Sequence, residues 1–153
     1  MNINKLVLNN FRIFRGCHEF DFSNKKLIVL EGPNGHGKST IFDAINWVIS
    51  GRISRYSNTN EHKSFNYIMN NNALKNNVKE AFVEVTFNNN LKIKRSINDK
   101  ANTSLFINDK KVTIRNGEQK IGELLFNEQN LNNQNEYNSK KIISFVESTL
   151  ILS

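Results

Sequence analysis

The chain alternates between two hydrophobic periods, and the changes of period divide it into elements. From Lys5 to Phe14 the apolar residues Leu6, Leu8, Phe11 and Ile13 suggest a first strand. The segment HEFDF, His18 to Phe22, alternates again before a polar turn at 23–26, so these two strands form a hairpin. Leu27 to Leu30 is a continuous apolar run and reads as a strand buried on both faces. The period then changes. Ile41, Ala44, Ile45 and Val48 recur at i, i+3, i+4 and i+7, the spacing of one helical face. Phe42 and Ile49 add a second apolar side, which predicts deep burial, and Gly51 suits the position just past the helix end.

The middle third returns to a period of two. Residues 52–63 carry no periodicity and read as a loop, and Phe65, Ile68 and Met69 suggest a short helix. AFVEVTF (81–87) alternates cleanly. Asn88-Asn89-Asn90 makes a turn, and LKIKRSI (91–97) alternates apolar with basic residues. Residues 103–107 and 111–114 predict another hairpin across Asn108-Asp109-Lys110, giving an antiparallel meander. Ile121, Leu124 and Leu125 suggest a short helix. Residues 127–138 are polar and irregular, and Ser139 is placed to cap a last helix carrying Ile142, Ile143, Phe145 and Val146.

Composition narrows the class. A chain of 153 residues is about one domain, long enough for a real core. Its net charge of +7 favours an anionic partner such as nucleotide, nucleic acid or an acidic membrane face, with a solvated basic surface as the alternative. The single cysteine, Cys17, excludes an internal disulfide. With no signal peptide and no apolar run near the membrane-spanning length of about 20 residues, a cytoplasmic protein without membrane contact is expected. Asparagine is abundant, but it is interleaved with patterned apolar residues, which favours compositional drift over a disordered tract. Cys17, His18, His36 and His62 lack metal-ligand spacing.

The chemistry is concentrated at one bend. Gly32 to Ser39 reads GPNGHGKS and fits G-x-x-x-x-G-K-[ST], the phosphate-loop (Walker A) pattern. A bare match arises by chance in about one chain of this length in two hundred. Here it also has the required context of a strand before and a helix after. Successive backbone N–H groups in such a turn form a concave anion site that Cβ atoms would obstruct, and Gly35 and Gly37 leave it open. The start of the helix adds unpaired N–H groups and a positive dipole end. Lys38 places an ammonium on the β- and γ-phosphates of ATP, and Ser39 offers a hydroxyl to Mg²⁺. His36 occupies a variable position of the loop, where a cradle role through the backbone is favoured over catalysis.

The stretches LNNFRIF, LIVLEGPNGHGKSTIFDAINWVISG and AFVEVTF together resemble the SMC and SbcC-type ATPases, the DNA-tethering and double-strand-break-repair relatives of the ABC ATPases. The resemblance runs to about Leu125 and is sharpest over Gly32 to Gly51. It implies an α/β fold: the N-terminal lobe of a P-loop NTPase, with a mixed sheet, an antiparallel β-meander and a phosphate-loop helix. It divides the chain into a lobe at 1–125 and a glutamine-loop region at 126–153 that begins a helix leading toward a coiled coil. It implies that Arg12 lies beside the nucleotide's phosphates, that Asn34 faces the γ-phosphate and that residues 35–40 form the cradle. Within that cradle Thr40 meets the α-phosphate, and Asp43 is structural. A glutamine of the family joins the Mg²⁺ shell. Gln134 fits its distance, although FNEQNLNNQ is not the expected apolar approach, and Gln129 competes for the role.

The family hydrolyses ATP with an apolar strand ending in Asp-Glu and a Ser-Gly-Gly signature, neither of which occurs in this sequence. LFIND (105–109) is better read as hairpin-turn chemistry than as an acidic strand end. The resemblance therefore implies the ATP-binding half of an ATPase, completed by a C-terminal lobe or a second head. DNA is the expected partner, and the family often adds a nuclease. Lys92, Lys94 and Arg95 are candidates for DNA backbone contact or for one solvated strand face. A natural truncation, a fragment and a split protein remain open, as does a nucleotide-binding module or decoy without turnover. A small kinase or GTPase fits poorly, since no Asn-Lys-x-Asp is present.

Overall fold

The computed structural model describes residues 2–25, 28–33, 35, 37–53, 65–126 and 151–152. Six strands form one antiparallel sheet: β1 (Ile3–Asn9), β2 (Cys17–Asp21), β4 (Glu80–Phe87), β5 (Lys92–Asn98), β6 (Thr103–Ile107) and β7 (Lys110–Val112), in the order β2-β1-β4-β5-β6-β7. The predicted hairpins are present: β1 pairs with β2 (Leu6 opposite Phe20), and β4, β5, β6 and β7 follow as a meander. The long-range step is β1 against β4, with Leu6 opposite Val85. Strand β3 (Val29–Leu30) lies in a separate parallel pair with β8 (Ile151–Leu152).

Alternation decides which face is buried. Leu6, Leu8, Val83, Val85, Ile93, Ile97 and Leu105 are all fully buried. The opposite residues, among them Lys5, Glu84 and Lys94, are partly exposed. Helix α1 (Lys38–Ser50) packs on β4 and β5, and helix α4 (Ile114–Phe126) packs on β6 and α1. Helix α1 buries nearly its whole circumference from Thr40 to Ile49, with Phe42 half-buried, as its two apolar sides predict. Trp47 is 2% exposed and sits 5.6 Å from the Phe11 ring. Truncating a residue so placed to alanine costs about 3–5 kcal/mol. The helix ends where Gly51 turns left-handed (φ 72°) and its N–H donates to the Trp47 carbonyl.

Several elements differ from their sequence reading. Strand β1 stops at Asn9 rather than Phe14, because Asn10 and Arg12 take φ values of 52° and 51°. The run at Val29–Leu30 is not buried on both faces: Val29 is 46% exposed, and among the described residues its strand neighbour is β8. Ile114 opens α4 instead of closing a strand, and α4 is a full 13-residue helix. A two-turn unit at 65–75 contains the expected α2 (Phe65–Ile68) and an unforeseen α3 (Asn71–Lys75). Asn70 caps α3, its side chain accepting from the N–H groups of Asn72 and Ala73. The helix expected from Ser139 lies outside the described residues.

Candidate functional site

The phosphate-loop segment sits between β3 and α1, the strand-to-helix context the motif requires. Gly37 is the residue before the helix and adopts φ 99°, a conformation that L side chains rarely take. A Cβ there would lie 2.7 Å from Ile13 Cδ1 and 3.0 Å from Phe14 Cζ, so glycine is required twice over. Gly35 also has positive φ, and among the described residues no atom lies within 4 Å of where its Cβ would be. The side chain of Lys38 folds back so that Nζ donates to the Gly32 carbonyl, which holds the ammonium over the loop. Ser39 is exposed at the first turn of α1, and Thr40 is buried. An open turn, a helix N-terminus and an ammonium are thereby brought to one place, and this donor set suits a polyphosphate.

Arg12 meets the same helix through an ion pair. Its Nε lies 3.5 Å from Asp43 Oδ2, with Asp43 only 2% exposed on α1, and its guanidinium lies over the Tyr67 ring at 5.7 Å. Asp43 thus has an ion-pair partner on the Arg12 turn. The two residues after Arg12 press on Gly37, which seats the whole Arg12–Phe14 segment against the phosphate loop. Arg12, Gly35, Gly37, Lys38, Ser39 and Thr40 converge on α1 and its N-terminus. Asn34, His36, Gln129 and Gln134 lie outside the described residues.

Arg95 has a different role from the one proposed for it. It is 1% exposed, so it is no DNA contact. Its Nε donates to the Val48 carbonyl at 3.2 Å and its Nη2 to the Ile49 carbonyl at 3.4 Å, satisfying the C-terminal carbonyls of α1. Burial pushes this guanidinium below its usual range, and Glu118 opposes that shift. Alternation places Arg95 on the inward face, and its neighbour Lys94 on the outer one, with Nζ 4.0 Å from the centre of the Phe82 ring. Lys92 pairs with Asp109 at 3.2 Å in the β6–β7 turn. That turn carries φ of 48° at Asn108 and 63° at Asp109, the geometry of a two-residue hairpin, so LFIND is a turn and not an acidic strand end.

Sequence reasoning missed Asn70. Its side-chain Nδ2 donates to the Arg12 carbonyl at 2.6 Å, 58 positions away in the chain. A capping signal was present, an asparagine before Ala73-Leu74, but no local pattern points to Arg12. Among the described residues there is no group of three or more His, Cys, Asp or Glu side chains able to hold a metal, and no helix long and apolar enough to cross a membrane.

A family described as "AAA domain" matches residues 5–150. The DNA replication and repair protein RecF of Leptospira interrogans is 35% identical over 103 residues, covering 63% of this chain and 27% of that protein. The C component of the nuclease SbcCD of Deinococcus radiodurans is 37% identical over 54 residues, covering 35% and 6%. The chain therefore spans at most about a quarter of the length of these curated relatives. A chain solved in a study of ATP-driven dimerization and DNA stimulated activation of SMC ATPases superposes with a TM-score of 0.67 at 22% identity, covering 92% of this chain and 91% of that one.

Proposed function

The chain belongs to the AAA domain family, with the N-terminal head-lobe fold of SMC and SbcC-type ATPases, and from that premise we propose that it is the ATP-binding half of such an ATPase. The observation that carries the proposal is the phosphate-loop geometry: a left-handed Gly37 at the head of a buried helix, with the Lys38 ammonium held over the turn. ATP fits that donor set. Backbone N–H groups of 35–40 would cradle its phosphates, Lys38 would neutralise the β- and γ-phosphates, and Arg12 would flank them. Ser39 would ligate Mg²⁺, which takes oxygen ligands and retains water, and Gln134 is the proposed second protein ligand. The metal would supply charge neutralisation on the phosphates.

In this reading residues 1–125 are the lobe proper and 126–153 the glutamine-loop region. Hydrolysis waits on a complementing C-terminal lobe or second head, and the ATPase acts in DNA binding or in processing of double-strand breaks. Lys92 and Lys94, on the solvent side of β5, are the proposed DNA backbone contacts; Arg95 is not among them.

The test is calorimetry of the 153-residue chain with ATP and Mg²⁺ beside a phosphate-release assay. Binding without turnover is expected, and Lys38→Ala should weaken binding at least about tenfold, since the charge-assisted bond from the ammonium to phosphate disappears. Wild-type affinity in Lys38→Ala would remove the nucleotide reading. Steady turnover by the chain alone would show that it carries its own catalytic carboxylate.

A further inference from the structure

The turn that carries Arg12 does not hold itself together. Asn10 and Arg12 both have positive φ without being glycine, a conformation that persists only where surrounding contacts impose it. Part of the constraint is local. The Asn10 N–H donates to the Gly16 carbonyl at 3.0 Å, and the Gly16 N–H donates back to Asn10 Oδ1 at 2.8 Å. The rest comes from residues 68–70. The Arg12 N–H donates to the Ile68 carbonyl at 2.7 Å, and the Asn70 N–H donates to the Asn10 carbonyl at 2.8 Å.

The Asn70 side chain completes the clamp, and both ends of its amide are engaged. Oδ1 accepts from the N–H groups of Asn72 and Ala73, at 3.0 and 3.1 Å, and so caps α3. Nδ2 donates to the Arg12 carbonyl. With Asn70 only 5% exposed, water is a poor substitute for either bond. One buried amide therefore ties the 65–75 unit to the backbone of Arg12. From there the guanidinium reaches Asp43 on α1, and the next two side chains bear on Gly37.

We propose that Asn70 is a positioning residue for nucleotide binding: through its Nδ2 bond to the Arg12 carbonyl it fixes the turn that presents Arg12 to the phosphate loop. This rests on the nucleotide reading above. The residue type follows from the two duties. Aspartate would keep the cap but has no donor, and would set an anion against a carbonyl. Serine would keep the cap on a side chain one heavy atom shorter, which withdraws from Arg12.

The experiment measures ATP affinity and thermal midpoint together, on the full chain with Mg²⁺. Asn70→Asp keeps the cap but sets a buried anion against the Arg12 carbonyl, so its midpoint should fall, and at temperatures where the variant is still folded it should bind ATP about fivefold more weakly, the effect of removing one hydrogen bond. Arg12→Ala should weaken binding as well, and adding Asn70→Asp to it should weaken binding no further, because Asn70 acts through Arg12. Asn70→Ser is the second arm should the aspartate variant fold poorly, with the same expected weakening and the same dependence on Arg12.

Wild-type affinity in Arg12→Ala, wild-type affinity in the folded Asn70 variants, or a full additional weakening in the double variant would each overturn the proposal. Lys38→Ala separates the two levels. If that variant loses ATP while the Asn70 variants do not, only the role of Asn70 falls. If it binds as wild type, the nucleotide reading has failed first.

Discussion

Arg95 and Glu118 meet at 3.3 Å across the junction of β5 and α4, with the arginine side chain 2% exposed and the glutamate 35%. The same guanidinium donates to the carbonyls of Val48 and Ile49, so the C-terminus of the phosphate-loop helix is held by a strand residue and, through it, by a second helix. Gly51 leaves room for this: a Cβ there would lie 2.8 Å from Arg95 Nη1.

Arg95→Ala should therefore act on stability. It removes the donors for two helix-end carbonyls and leaves a void, an expected cost of about 2–4 kcal/mol. Glu118→Gln keeps an oxygen acceptor at a partly exposed site and should cost less than about 1 kcal/mol. Chemical denaturation of the two variants checks the ranking, and a larger effect of Glu118→Gln would contradict it.

Gly37 and Gly117 should resist alanine for different reasons. At Gly37 both the positive φ and the contacts with Ile13 and Phe14 oppose a Cβ, so Gly37→Ala should cost about 1–3 kcal/mol and Ile13→Ala should recover only part of it. Gly117 lies inside α4 without a positive φ, where alanine is the better helix former. Its Cβ would lie 2.4 Å from Leu105 Cδ2 and 2.7 Å from Val112 Cγ2, so overpacking outweighs propensity. Because Leu105 Cδ2 is the nearer obstacle, Val112→Ala should relieve Gly117→Ala only in part, as thermal midpoints of the single and double variants would show.

If β5 presents DNA contacts, salt dependence identifies them. Lys92→Ala and Lys94→Ala should each lower the slope of log K against log salt by about 0.9 for each phosphate no longer neutralised, whatever the sequence of the duplex. Fluorescence anisotropy over a salt series measures this. Unchanged slopes would leave the two lysines as a solvated face, Lys92 paired with Asp109 and Lys94 over Phe82.

The β1–β2 hairpin makes a small acid-sensitive contribution. The Ser23 hydroxyl and backbone N–H hold the Asp21 carboxyl below its ordinary value of about 3.9. A depressed folded-state value means that the stabilisation is complete above the ordinary value and disappears as pH falls through the depressed one. Asp21→Asn should therefore flatten the stability profile below about pH 4 and leave its shape at neutral pH unchanged. Urea unfolding at stepped pH tests the sign, and a steeper acid limb in the variant would refute it.

Much of the fold was legible because period reports burial. A period of two placed Val83, Val85 and Phe87 inward on β4, and the helical spacing of Ile41, Ala44, Ile45 and Val48 placed α1. The turn at 32–39 was legible for a related reason: its pattern consists of glycines and one lysine within eight consecutive residues. Local order did not determine which charged residue faces inward. Lys94 and Arg95 are adjacent basic residues, and the pleat sends one to solvent and the other beneath α1, where the carbonyls of Val48 and Ile49 give a buried guanidinium its partners. Nor did it pair Asn70 with Arg12, since that bond closes across 58 positions and exists only once 68–70 is packed against the Arg12 turn. The sequence by itself determined most of the elements and the glycine- and lysine-bearing turn before α1, which rest on neighbours along the chain. Only the tertiary structure decided which polar groups tie the Arg12 turn and the end of α1 in place, because their partners are buried atoms that folding alone brings within reach.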